Sequence, residues 1–141
     1  MKQRLLTVVA FVTITACGGP AEPPPVAPGA PAVASGVAMP PLVDEAMVRV
    51  QGLIADPNDA AIKASFSPTF LAAIPPDKVK AVFIAAKAGA GECKERRAMV
   101  VKSETGALVR LQCERGALNA TIAVNPAPPH LIEGLLLQPT P

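Results

Sequence analysis

Apolar residues fall into three different patterns along the 141-residue chain. Near the N-terminus they are contiguous, in the uncharged run of twelve residues from Leu5 to Ala16. In residues 18–41 they are scattered among eight Pro and four Gly. From Leu42 onward they recur with regular periods, and the period changes half-way.

The first half of that last region has a helical period. Val43, Met47, Val50 and Ile54 share one helical face, and Asp44, Glu45, Arg49 and Gln51 take the other. Asp56-Pro57-Asn58-Asp59 reads as a helix start, with Asp56 as N-cap and Pro57 at the first helical position. Ser67-Pro68 repeats the device ahead of Thr69–Ile74. Pro75 and Pro76 stop that short helix and begin another. Val79, Val82, Phe83 and Ala86 mark its apolar face, and Gly89 is the expected residue just beyond its end.

The second half reads as strands. Ala98–Lys102, Ala107–Gln112, Leu118–Val124 and Leu131–Gln138 are β-branched or Leu-rich. Glu104-Thr105-Gly106 and Arg115-Gly116 between them suit hairpins, while Asn125–His130 is longer and contains three Pro. Helices followed by an antiparallel meander predict an α+β domain over residues 42–141, with three or four short helices packed on a curved four-stranded sheet.

Charge and the N-terminus change the picture. The formal +2 comes from Lys2 and Arg4, since residues 17–141 hold 11 Lys/Arg and 11 Asp/Glu. A basic start, then an apolar run worth about 18 Å of helix against a hydrocarbon core of about 30 Å, predicts a signal peptide over residues 1–16. The run ends Ile14-Thr15-Ala16-Cys17-Gly18, which resembles the bacterial lipobox. That resemblance implies cleavage before Cys17, acylation of Cys17, and a chain exported and anchored to a bacterial bilayer. Gly18 after the Cys resembles the pattern sent to the outer membrane. Residues 17–41 then form a Pro/Ala-rich tether. It is expected to lack a fold of its own and to reach at most about 75 Å at about 3.1 Å per residue.

With Cys17 assigned to lipid, Cys93 and Cys113 remain as an even pair in an oxidising compartment, and a disulfide is expected. A three-residue turn at Glu104–Gly106 pairs Ser103 with Ala107, and hence Cys113 with Arg97. Cys93 then lies about 13 Å too far along for a bridge. Linking the two requires a longer turn, or a bulge or fold-back within Gly91–Arg97, so an irregular first strand is expected. Strand parity places Cys93, Met99, Val101, Val109, Leu111 and Cys113 on a common face.

The order of elements resembles the cone fold of cystatin-like, nuclear transport factor 2-like and SnoaL-like proteins. More closely, Phe66–Pro139 is similar to a bacterial domain that often precedes β-lactamase-like serine hydrolases. The residues that carry this are Phe66-Ser67-Pro68-Thr69-Phe70-Leu71, Val79 to Phe83, Gly91-Glu92-Cys93-Lys94, Leu111 to Gly116 and Ile132-Glu133-Gly134-Leu135. Neither Ser-x-x-Lys nor Lys-Thr-Gly is present, so the resemblance brings no hydrolase residues.

Candidate chemistry is sparse. His130, the single histidine, follows Pro128-Pro129 and reads as a solvated loop residue. Glu133 alternates with Leu131, Leu135 and Leu137, which would point it into the cone as a cavity polar residue. Burial there would raise its pKa and suit a general base, unless Arg97 or Arg110 neutralises it. The partner groups of such a base are missing, because the chain has no Tyr and no Trp. Glu92–Arg97 reads as a solvated strand end. Nucleic-acid binding lacks both a basic excess and stacking aromatics. No metal site is expected without Cys-x-x-Cys spacing or further ligands, and no cofactor is implied. The expectation is a non-catalytic lipoprotein whose domain binds a protein partner or a small apolar ligand. An enzyme using Glu133 as base, or an accessory subunit of a separate serine hydrolase, is the alternative.

Overall fold

The computed structural model of the protein describes residues 37–140. The expected signal peptide, Cys17 and most of the tether lie outside the described residues. Four helices come first: α1 (Pro41–Ala55), α2 (Asp59–Ser65), α3 (Pro68–Ala73) and α4 (Pro76–Ala90). Pro stands in the first turn of α1, α3 and α4, where a missing N–H costs nothing. Ser67 caps α3 as expected, its Oγ accepting from the Phe70 N–H at 3.2 Å.

Two helix ends differ from expectation. Asn58, not Asp56, caps α2, with Oδ1 accepting from the Ala61 N–H at 2.8 Å. Asp56 is committed to the preceding helix, since its N–H closes on the Gly52 carbonyl at 2.8 Å. At the other end, α4 runs through Gly89 and stops at Gly91, whose φ is 81°. A Cβ at Gly91 would meet Glu114 Oε2 at 3.0 Å, so both conformation and space call for glycine there.

Four strands follow, β1 (Cys93–Ser103), β2 (Gly106–Cys113), β3 (Gly116–Val124) and β4 (Ile132–Pro139). They form an antiparallel meander in the order β1-β2-β3-β4. The fold is therefore α+β.

The register of the first hairpin shows how the bridge forms. The turn holds two residues rather than three, with Ser103 opposite Gly106. Three irregularities then follow along β1, between Val101 and Ser103, Ala98 and Val100, and Cys93 and Glu95. Each absorbs one residue, so Cys93 arrives opposite Cys113 and the disulfide closes. These shifts also re-phase the faces. Ala98 points inward and is buried, while Met99, expected on the inner face, is 44% exposed.

The helices cover the inner face of the sheet. Val43, Met47, Val50 and Ile54 of α1 are fully buried against it. Opposite them lie Ala107, Val109 and Leu111 of β2 and Leu118, Ala120 and Ile122 of β3. Phe83 of α4 is buried beside Phe66, whose ring stacks on Phe70 at a centroid distance of 4.8 Å. Phe66 also makes a single parallel bridge to Ile132, and the Ser67 N–H donates to the Ile132 carbonyl at 2.9 Å. Burying each large apolar side chain contributes about 1.5–3 kcal/mol, which is what holds such short helices in place.

The bridge closes a loop with a sequence separation of 20. Replacing Cys93 and Cys113 together by Ala is expected to cost about 3 kcal/mol. Urea denaturation of both proteins, with and without reductant, checks this. Reductant should shift the midpoint of the wild type only.

Candidate functional site

Val82, Ala85, Ala86 and Gly89 line one wall of a cleft of about 430 Å³ where α4 crosses the sheet. Leu118 of β3 and Leu137 of β4 line the other. The cleft exists because α4 presents Ala and Gly here, whose side chains are too short to reach the sheet. Val82, expected in the core, stands at this cleft and is 49% exposed.

Two polar groups meet this apolar surface. Arg115, in the β2–β3 turn, donates from Nη2 to the carbonyls of Lys87 and Ala88, both at 2.8 Å. Its guanidinium caps the last turn of α4, sharing the Lys87 carbonyl with the Gly91 N–H. The turn itself is fixed by the Arg115 N–H donating to the Ala90 carbonyl at 2.8 Å. Thr140 continues the β3–β4 pairing, its N–H donating to the Ala117 carbonyl at 2.9 Å. Its Oγ1 is buried and has no hydrogen-bond partner. Leaving a buried hydroxyl unpaired costs about 1–3 kcal/mol.

A second polar cluster lies between α1 and β1. Arg96 Nε and Nη2 hold both oxygens of Asp44, at 2.6 and 3.1 Å. Arg96 Nη1 donates to Gln51 Oε1 at 3.0 Å, and Gln51 Nε2 donates to the Cys93 carbonyl at 3.0 Å. The hydrogen bonds from Arg96 hold the Asp44 carboxyl below its usual value, against a smaller opposing effect of burial. Asp44 raises Arg96 in return. These hydrogen bonds run between α1 and β1, so the cluster orients α1 on the sheet.

The expected site residues do not converge. Cys17 lies outside the described residues. Cys93 and Cys113 are joined. Glu133 is exposed and accepts from Asn125 Nδ2 at 2.7 Å. Its position follows from a register shift in β4, where Val124 pairs with Ile132 and Ala123 with Gly134. Glu133 is the extra residue, which removes it from the inward series of Ile132, Leu135 and Leu137. Neither Arg97 nor Arg110 reaches it. These two face each other across β1 and β2 instead. His130 is half-buried at φ 56°, its Nδ1 3.3 Å from the Asn125 carbonyl, and its own carbonyl accepts from Arg49 Nη1 at 3.2 Å. Arg115 and Thr140 were not legible as site residues, because nothing local marks either as adjacent to α4.

Comparison with family models, curated proteins and solved structures finds no match to this chain. Among the described residues no cluster of three or more His, Cys, Asp or Glu side chains is placed to hold a metal ion. No described helix is long and apolar enough to cross a membrane.

The Asp44–Arg96 pair carries a pH signature. A lowered folded-state pKa stabilises the fold fully above the unfolded value of about 3.8 and less as pH falls through the folded value. Asp44→Asn should therefore lower the urea midpoint at neutral pH. The gap from wild type should shrink as pH falls below about 3.8. Denaturation curves between neutral and strongly acidic pH measure the gap.

Proposed function

We propose that this protein is an exported lipoprotein, anchored through acylated Cys17, whose α+β domain binds an apolar ligand or an apolar segment of a partner. The observation that carries the binding role is the cleft between α4 and the β3–β4 end of the sheet. It is of the size and apolar character of ligand pockets, with few polar groups at its margin. The Cys93–Cys113 disulfide supports export, since such bridges persist in oxidising compartments. Lys2, Arg4, the run Leu5–Ala16 and Ile14-Thr15-Ala16-Cys17 support the signal peptide and the lipid anchor. Gly18 favours the outer membrane as destination. Helices followed by a meander favour a nuclear transport factor 2-like cone, with the cleft as its mouth. The binding role is preferred to base catalysis because Glu133 sits at the surface on Asn125.

Two measurements test this reading. Metabolic labelling with a clickable fatty acid should mark the wild type and leave Cys17→Ser unmarked. Equal labelling of both would remove the anchor. For the cleft, Gly89→Leu is the chosen block, since a Cβ there meets nothing within 4 Å. Gly89 lies in the last turn of α4 at a non-positive φ, so the replacement should leave the helix no less stable. Binding of an apolar fluorescent dye should fall severalfold in this variant although it is no less stable. Unchanged dye binding would place the apolar site elsewhere.

A further inference from the structure

We infer that the cleft takes a single-chain amphiphile with an anionic head, a long-chain carboxylate, its head at Arg115 and its alkyl chain along α4. The inference rests on the binding reading above and adds the chemistry of the ligand. Two observations carry it. The first is the wall: the side chains of Ala85, Ala86, Leu118 and Leu137 offer no hydrogen bonds to a ligand body, and about 430 Å³ has room for one alkyl chain.

The second is Arg115. Its Nη2 is held by two carbonyls of α4, which fixes the guanidinium plane before any ligand arrives. Nε and Nη1 make no hydrogen bond among the described residues. No carboxylate there pairs with it, since the adjacent Glu114 is turned toward Lys94, at 3.9 Å. An oriented cation without a counter-ion beside an apolar wall is complementary to a carboxylate. A carboxylate has the lone pairs to accept from the free N–H groups of Arg115.

Calorimetric titration of the full chain with dodecanoate and with dodecanol, below their aggregation limits, separates head from tail. Dodecanoate should bind about tenfold more tightly than dodecanol, as expected for a charge-assisted contact. The preference should collapse in Arg115→Gln. Because Arg115 also caps α4, Arg115→Lys is the second variant. It keeps the cation and should keep most of the preference for dodecanoate, whereas loss of the preference in this variant as well would overturn the charge contact. Equal affinity for the two probes would overturn the anionic head and leave an apolar cleft in place. Dye binding without binding of either probe, or capture of an apolar peptide alone, would overturn the amphiphile and keep the broader reading. Undiminished dodecanoate binding by Gly89→Leu would overturn the location.

Discussion

The inner face of the sheet is wider than any one helix of the domain can cover. Four strands spaced about 4.8 Å apart present a face about 14 Å across plus side chains, and a helix with its side chains is about 10–12 Å in diameter. Helix α1 supplies the large residues, Val43, Met47, Val50 and Ile54, and seals the middle of the sheet with no exposed apolar surface left on that face. Covering the β4 side falls to α3 and α4. There Phe83 and Val79 bury, and one helical turn further on Ala86 and Gly89 fall short. The cleft is the remainder of that division. Its position, its apolar walls and its nearness to the C-terminal end of α4 all follow from which residues α4 carries.

The same helix end explains the charge at the margin. Carbonyls at a helix C-terminus attract a cation, and the β2–β3 turn delivers Arg115 to two of them. The turn can do so because Gly91 allows the chain to leave α4 and pass directly against Glu114. Positioning therefore runs from a left-handed glycine, to a fixed turn, to a guanidinium with donors to spare. Between α1 and β1 the Asp44–Arg96–Gln51 cluster does the corresponding work for α1, with its hydrogen bonds made within the domain. Arg96 pairs with a carboxylate, whereas Arg115 bonds only backbone carbonyls.

Much of this was legible in the chain. Period four-three-four from Val43 to Ile54 marked the buried face of α1, and Ser67-Pro68 and Pro75-Pro76 marked the starts of α3 and α4. The disulfide followed from cysteine parity, and the need for an irregular β1 followed from its register. What escaped depended on single-residue phase. Three shifts in β1 and one in β4 each flip the downstream alternation, because strand side chains repeat every two residues. That is why Met99 emerged at the surface, and why Glu133 left the inner series that strict alternation assigned it. Arg96 read as part of a solvated run, yet the shift after Cys93 turns it toward α1. Arg115 and Thr140 border one cleft from positions that no local pattern relates.

The cleft is tested most directly by following backbone amide resonances of the full chain during titration with dodecanoate. Perturbations should concentrate on Ala85, Gly89, Ala117, Leu137 and Thr140, with the Arg115 side-chain Nε–H moving as well. The outer face of the sheet carries its own exposed apolar residues in Val100 and Leu136. Perturbations confined to that face, with α4 silent, would contradict the assignment of the cleft as the binding site.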